Sequence, residues 1–276
     1  MQRAAQLNFR ELLEGKLQLP PRIEELKTAY RSAKPFPYVV IDNLFLPEAL
    51  DPLLSEMAVM SNDQWVNVDR DPRERTVRMR SAAEMQAAGD HIVGIVHSAA
   101  FLYLLSEITG IESLLPDPYL QGGGFAVMRR GDYFDVHADR NVAYQTGLTR
   151  RLAMIIYLNK DWKPEYQGQL QLWSPDGKRC EATIEPLFNK TILFEVAYPN
   201  YHGVPEPLAC PPDRVRQSFI AYYHTAGLEK SQVKPHTTIF APRFYGTPGS
   251  SLRSIVREIT PPFVVRLARR MFGGGA

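Results

Sequence analysis

Cysteine is nearly missing from this chain: Cys180 and Cys210 are the two present among 276 residues. They lack CxxC spacing, so neither a disulfide framework nor a zinc ribbon is supported, and a reducing, cytoplasmic setting is the expectation. No apolar run approaches the roughly 20 residues that a spanning helix requires. The opening MQRAAQLNFRELLEGK has no long apolar stretch and carries Glu early, so a secretory signal is not expected. Charge of one sign is not in excess either. Lys and Arg number 32 against 30 Asp and Glu, a net +2, and basic residues are not interleaved with the aromatics. Nucleic acid is therefore not an expected partner.

What is present is ordinary globular material, 45% hydrophobic and 22% charged. The length suits one large domain, and no internal repeat or long linker divides it. The expectation is a single domain over 1–276. It comprises a mostly helical flank at 1–118, a β-rich core at 119–226 and an extension at 227–276. In the flank, Asn8 can cap a short helix through Leu12 and Leu13, and Pro20-Pro21 precedes a second helix over 22–30. A β-branched and aromatic run at 36–41 predicts a first strand. An amphipathic helix follows with Pro47 in its first turn. The charged stretch 70–80 reads as a loop or edge strand. Helical stretches are expected around 88–96 and 101–108, the latter stopping at Gly110.

From Tyr119 short strand-like runs alternate with turn residues, as in GGGFAVMRR, RRLAMIIYLN, KTILFEVA and RQSFIAYYHT. Asp176-Gly177 is a hairpin signal. This spacing predicts antiparallel strands in a sandwich or jelly roll. Residues 261–272 form a basic amphipathic segment, with Phe263, Val264, Leu267 and Met271 set against Arg266, Arg269 and Arg270. Contact with a membrane surface is one reading of it; a helix docked on the domain with solvated arginines is the favoured one.

The chemistry gathers at GDYFDVHAD, residues 131–139. Positions two apart on a strand share a face, so His137 and Asp139 can address one point in space. His202, in YPNYHGV, can join them from a neighbouring strand. Two imidazoles and a carboxylate on one face of a metal leave the opposite face open, which suits non-heme Fe(II) with a co-substrate and dioxygen. An HxD pair alone recurs by chance on exposed strands. Here order adds weight, because an arginine follows on a third strand. Arg216 and Ser218 share a face in RVRQSFIAYYH, and an inward guanidinium calls for an anion. A dicarboxylic co-substrate supplies one, held by paired hydrogen bonds. Arg214 competes by proximity but lies nearer the Pro211-Pro212 loop. His91, His97, His224 and His236 are read as structural or surface residues. Trp162 and the Tyr222-Tyr223 pair are read as core or pocket wall.

With these residues in view, the chain resembles the Fe(II)/2-oxoglutarate-dependent dioxygenases of the prolyl-4-hydroxylase-like branch, over about 119–224. The matching segments are His137-Ala-Asp139, YLNKDW at 157–162 leading into Gly168-Gln169-Leu170-Gln171-Leu172, FEVAYPNYH ending at His202, and Arg216-Gln-Ser218. Where the branch carries two glycines before its L-x-L, this chain has Gly168-Gln169. The resemblance implies a double-stranded β-helix (jelly-roll, cupin-like) core with helices packed on it. It implies His137, Asp139 and His202 as iron ligands. Arg216 would bind the distal carboxylate of 2-oxoglutarate, with a hydrogen bond from Tyr157 and a lesser part for Ser218. Fe(II), 2-oxoglutarate and O2 are the implied cofactor and co-substrates, with ascorbate as a candidate auxiliary reductant. The implied reaction hydroxylates an unactivated C–H bond of an amino-acid, peptidyl or small-molecule substrate and releases succinate and CO2. A carboxylate at position 139 argues for hydroxylation over halogenation. Arg140, Asn141, Tyr144 and Trp173 are candidate substrate contacts. The alternatives carried forward are a non-catalytic cupin-like binding barrel and a peripheral membrane or interaction protein acting through its basic tail.

Overall fold

The computed structural model describes Leu13, Lys16, Leu17 and residues 23–68, 73–79, 82–226 and 234–242. Residues 1–241 group as one unit, which holds every element named below. The Asn8 cap, the Pro20-Pro21 break and the basic helix expected at 261–272 lie outside the described residues.

Local signals place the helices. Helix α1 (Ile23–Ser32) opens on Glu24 and Glu25 and closes with Arg31, which complements its dipole. Helix α2 (Pro47–Val59) begins on a proline, whose fixed φ and missing N–H suit the first helical position. Helix α3 (Ala87–Val96) leads into α4 (Ala99–Thr109). The Ser98 hydroxyl accepts the Phe101 N–H at 3.2 Å to start α4. Gly110 ends it in the left-handed region, at φ 73°. Among the described residues no single helix is long and apolar enough to cross a membrane.

The strands are β1 (Tyr38–Asp42), β2 (Trp65–Val68), β3 (Glu74–Met79), β4 (Leu115–Pro116), β5 (Gly124–Met128), β6 (Tyr133–Ala138), β7 (Thr149–Tyr157), β8 (Leu170–Trp173), β9 (Cys180–Ile184), β10 (Lys190–Glu195), β11 (His202–Val204), β12 (Arg216–Thr225) and β13 (Ile239–Phe240). They form one curled antiparallel sheet in the order β1-β10-β7-β12-β5-β3-β6-β11-β8-β9, with β2, β4 and β13 attached beside it. This is the cupin-like half-barrel with N-terminal helices alongside that the sequence predicts.

Alternation along the central strands divides the core in two. Leu152, Met154 and Ile156 of β7 and Phe219, Ala221 and Tyr223 of β12 join the cluster built with Leu50, Phe101 and Leu104 of the helices. The intervening Ala153, Tyr157, Ile220 and Tyr222 belong to a second cluster inside the curl. β5 follows the same rule, with Phe125 and Val127 toward the helices and Ala126 and Met128 inside. The helix-facing cluster anchors the sheet and leaves the inner face to carry polar chemistry.

The 70–80 stretch departs from expectation. Its β3 is an interior strand, pairing with β5 through Val77 and Arg78 and with β6 through Glu74 and Arg75. It reads as a loop or edge strand because polar Glu74, Thr76 and Arg78 line the cavity, while Val77 and Met79 are buried. The sheet also recruits β1, which pairs with β10, and β13, which pairs with β6. The curl therefore reaches beyond the 119–226 span in which the β-rich core is expected.

His224, near the end of β12, is 1% exposed, and its Nε2 has no hydrogen-bond partner. Burial, aided by nearby Arg150, pushes its pKa from 6.5 down to about 4. Between those values the unfolded chain binds the extra proton, so this stability contribution is present above pH 6.5 and lost as pH falls toward 4. The loss is on the order of 3 kcal/mol. Urea denaturation of wild type and His224→Gln across this window should show a flatter pH dependence in the variant. Equal slopes would contradict the assignment.

Candidate metal centre

The inner face of the curl carries three ligand-type side chains from two paired strands and their edge. β11 pairs with β6 so that His202 stands directly opposite His137. The ring centroids are 4.6 Å apart. Gly203 permits this approach, since a Cβ there would lie 2.9 Å from the Phe134 carbonyl oxygen and 3.0 Å from that of Asp135. Asp139 follows β6 on the face of His137. Its Oδ1 lies 3.6 Å from His137 Nε2 and its Oδ2 3.7 Å from His202 Nε2. The candidate ligand atoms of the three all fall within 4.8 Å of one another, and all three residues are buried.

The surroundings prepare these groups for a cation. His137 Nδ1 sits 2.8 Å from the Asp135 carbonyl oxygen, and His202 Nδ1 sits 3.2 Å from that of Asn200. A carbonyl only accepts, so each Nδ1 donates and each Nε2 is left bare toward the centre. Burial, with His137 adding to it, pushes the His202 pKa down to about 4, so this imidazole is neutral at physiological pH. Burial opposes ionisation of Asp139. The neighbouring His137, His202 and Arg150 outweigh that and hold its carboxyl well below the usual range. The Tyr222 hydroxyl donates to Asp139 Oδ2 at 3.1 Å. Phe134 stacks on His137 at 3.8 Å between ring centroids, and Phe194 lies 4.6 Å from His202. Two neutral nitrogens and one ionised oxygen, fixed from behind and open in front, fit a divalent transition metal.

The ligands border a cavity of about 290 Å³ that runs inward to Arg216 and Ser218. Arg216 is 5% exposed. Its Nε donates to the Gly168 carbonyl at 2.7 Å, Nη1 lies 3.6 Å from Met128 Sδ, and the guanidinium stands 5.0 Å above the Tyr157 ring. No carboxylate among the described residues pairs with it. The Tyr157 hydroxyl is likewise buried without a partner. Burial, opposed by Arg216, raises its pKa, so it remains a proton donor. An orphaned hydroxyl beside an unpaired buried guanidinium fits the carboxylate end of an anionic co-substrate. Gly168 has φ 86°, and a Cβ on it would come within 3.0 Å of Arg216 Cδ. The glycine of this turn that the site needs is therefore the one retained; Gln169 turns to Pro164 and Glu185. Arg214 is exposed and bonds the Lys160 carbonyl.

Asn159 and Trp162, within the YLN-x-x-W segment, hold this end of the cavity together. Asn159 Oδ1 accepts the Gln217 N–H at 2.6 Å, and its Nδ2 donates to the Pro186 and Gln217 carbonyls. That clamps the start of β12, where Arg216 sits. The Trp162 indole donates to Gln167, just before Gly168.

Of the four candidate substrate contacts, Arg140 lines the cavity. Asn141 fastens the returning 234–242 segment, donating to the Lys234 carbonyl and accepting the His236 N–H. Tyr144 is 62% exposed beneath the Arg140 guanidinium. Trp173 clusters with Val136, Ala138 and Tyr201, on the face of β6 opposite His137. Reading by residue type missed Glu74, Arg78 and Arg150, all of which line the cavity. Tyr222 could have been found, because it continues the 216, 218, 220 face of β12. Nothing in the Arg150-Arg151 doublet says which one turns inward.

Residues 123–224, which carry all three ligands, Tyr157 and Arg216, match the family model described as the 2OG-Fe(II) oxygenase superfamily. Among solved structures, the chain resembles a prolyl-4-hydroxylase from Pseudomonas putida at 18% identity and a TM-score of 0.50, covering 72% of this chain and 98% of that one. It also resembles an oxidoreductase of the 2OG-Fe(II) oxygenase family from Burkholderia pseudomallei (12% identity, 75% and 91% covered, TM-score 0.52). A third is a Trichoplax adhaerens prolyl hydroxylase in complex with a hypoxia inducible factor oxygen degradation domain peptide fragment (19%, 81% and 94%, 0.51). At such identities the likeness is one of fold.

Tyr222→Phe removes the hydroxyl that orients Asp139 while keeping the ring. Metal affinity should fall roughly tenfold, as losses of such supporting bonds do. Mn(II) titration followed by electron paramagnetic resonance reads this without turnover; an unchanged affinity would show that the contact has no orienting role.

Proposed function

We propose that this chain is a hydroxylase of the 2OG-Fe(II) oxygenase superfamily, oxidising an unactivated C–H bond of an amino-acid, peptidyl or related small-molecule substrate at the expense of 2-oxoglutarate. One juxtaposition carries the reading. Three converging candidate metal ligands open onto a cavity whose inner end holds a buried guanidinium that no carboxylate among the described residues pairs with. The fold shared with two prolyl hydroxylases supports the choice of substrate class.

His137 and His202 would hold the metal through Nε2 and Asp139 through its carboxylate. Bound iron with 2-oxoglutarate and dioxygen supplies the oxidising power for the C–H bond, with succinate and CO2 as co-products. The chain's own contribution is placement. Arg216 grips the distal carboxylate of the co-substrate, and the Tyr157 hydroxyl adds a hydrogen bond there. Ser218 shares the inner wall. The aromatic rings of Phe134 and Phe194 brace the two imidazoles. The three ligand side chains border the cavity, so a metal held by them would face it, and the target carbon would lie there.

His137→Ala and Asp139→Ala should abolish succinate formation from 2-oxoglutarate, because either change breaks the ligand set. Arg216→Ala should act mainly on co-substrate affinity, raising the KM for 2-oxoglutarate by about two orders of magnitude, since one partner of a buried charge pair is lost. Full turnover by the His137 variant, or an unchanged KM in the Arg216 variant, is the result that would sink the reading. Folded wild type that fails to bind 2-oxoglutarate with Fe(II) would favour a binding barrel without catalysis.

A further inference from the structure

The cavity holds more positive charge than the proposed chemistry uses. Four arginines line it, Arg78, Arg140, Arg150 and Arg216, against the carboxylates of Glu74 and Asp139. On the reading above, a divalent metal and a dianionic co-substrate together neutralise Asp139 and Arg216. Glu74 answers Arg78, at 3.3 Å from its Nη2. Arg140 lies over the exposed Tyr144 ring at 4.5 Å. Arg150 remains, and it is the deeply placed one, at 2% exposure.

Its fittings are those of a side chain held ready. Nη2 donates to the Gln121 carbonyl at 2.7 Å, and the guanidinium lies 3.6 Å above the Tyr222 ring. Nε is buried with no partner. No carboxylate among the described residues forms an ion pair with it. Arg78 converges on the same turn, with Nη1 3.4 Å from the Gly122 carbonyl oxygen. An alanine Cβ in place of the Gly122 hydrogen would lie within 4.0 Å of both Arg150 Nη atoms. Two guanidinium groups are thus steered to adjacent residues of one turn, at the wall of a cavity that also receives a metal. Like charges gathered in a partly desolvated site are costly unless an anion joins them. Asp139 offers Arg150 some relief, but a bound metal takes up that charge.

We propose that the hydroxylated substrate carries an acidic oxyanion group, a carboxylate or a phosphate, which docks on Arg150 with Arg78 beside it at the Gln121-Gly122 turn. Arg150 is then a specificity residue. It selects acid-bearing substrates and orients their neighbouring carbon toward the open face of the metal. A chain-internal, uncharged peptide segment would leave this charge unanswered. The proposal rests on the oxygenase reading for the metal and co-substrate charges.

The test uses the full chain loaded with Mn(II) in an anaerobic calorimeter. A first titration, with 2-oxoglutarate, decides the underlying reading. A second, at saturating 2-oxoglutarate so that Arg216 is occupied, adds acetate or methyl phosphate, with chloride at equal ionic strength as the reference. If the first titration shows no binding, the second is run without the co-substrate and still reads Arg150. The proposal expects wild type to bind at least one oxyanion in excess of chloride. Affinity should fall about tenfold or more in Arg150→Gln and be partly retained in Arg150→Lys. Acetate or methyl phosphate as the tighter probe identifies carboxylate or phosphate as the group recognised. Absence of oxyanion binding in wild type, or binding unchanged in Arg150→Gln, overturns the proposal, and the wild-type arm decides this even where a variant fails to fold.

Discussion

The pairing of His202 with His137 across two antiparallel strands is the contact on which the site depends. β11 is three residues long and is held between β6 and β8. A slip of one residue would turn His202 to the other face, because side chains alternate with period two. Register is secured from both sides: His202 also stands opposite Leu172 of β8, and Gly203 lets the backbone come close enough to β6. The carboxylate needs no separate device. Asp139 lies two residues beyond His137, and Tyr222 reaches across from β12 to hold it.

Alternation does the same for the sheet as a whole. The central strands turn one set of residues to the helices and the other to the cavity, so the apolar material that stabilises the fold is separate from the polar material that gives it chemistry. The helix-facing side is a packed hydrophobic core. The inner side tolerates Arg216, Arg150, Asp139 and two imidazoles because each is fastened to a backbone carbonyl, a ring or a neighbouring hydroxyl. What these fastenings leave over is unspent donor capacity at Arg216, Tyr157 and Arg150. In a buried setting such capacity has a cost, and bound anions are the natural compensation.

Legibility differed by element for physical reasons. Helices α2 and α4 were visible because a proline in the first turn and a terminating glycine are local signals. The interior place of β3 was not, since its polar residues Glu74, Thr76 and Arg78 face a cavity and mimic a solvated loop or edge. The His-x-Asp pair and Arg216 could be read from spacing within one strand. Asn141, legible only as a polar residue after the ligands, is instead a fastening for the 234–242 segment. Tyr222 reads as a wall residue until the Asp139 carboxylate is found 3.1 Å from its hydroxyl.

From residue order alone came the period-two strands, the chemistry of the ligand set and the guanidinium awaiting an anion, because each is written within a few neighbouring positions. Folding in three dimensions decided which distant strands lie side by side. It made β3 the seam between the two halves of the sheet and turned Arg150 inward instead of Arg151. It also left that arginine without a carboxylate ion pair among the described residues. Those outcomes depend on register and desolvation summed over the whole curl, and neither quantity exists for a strand taken by itself.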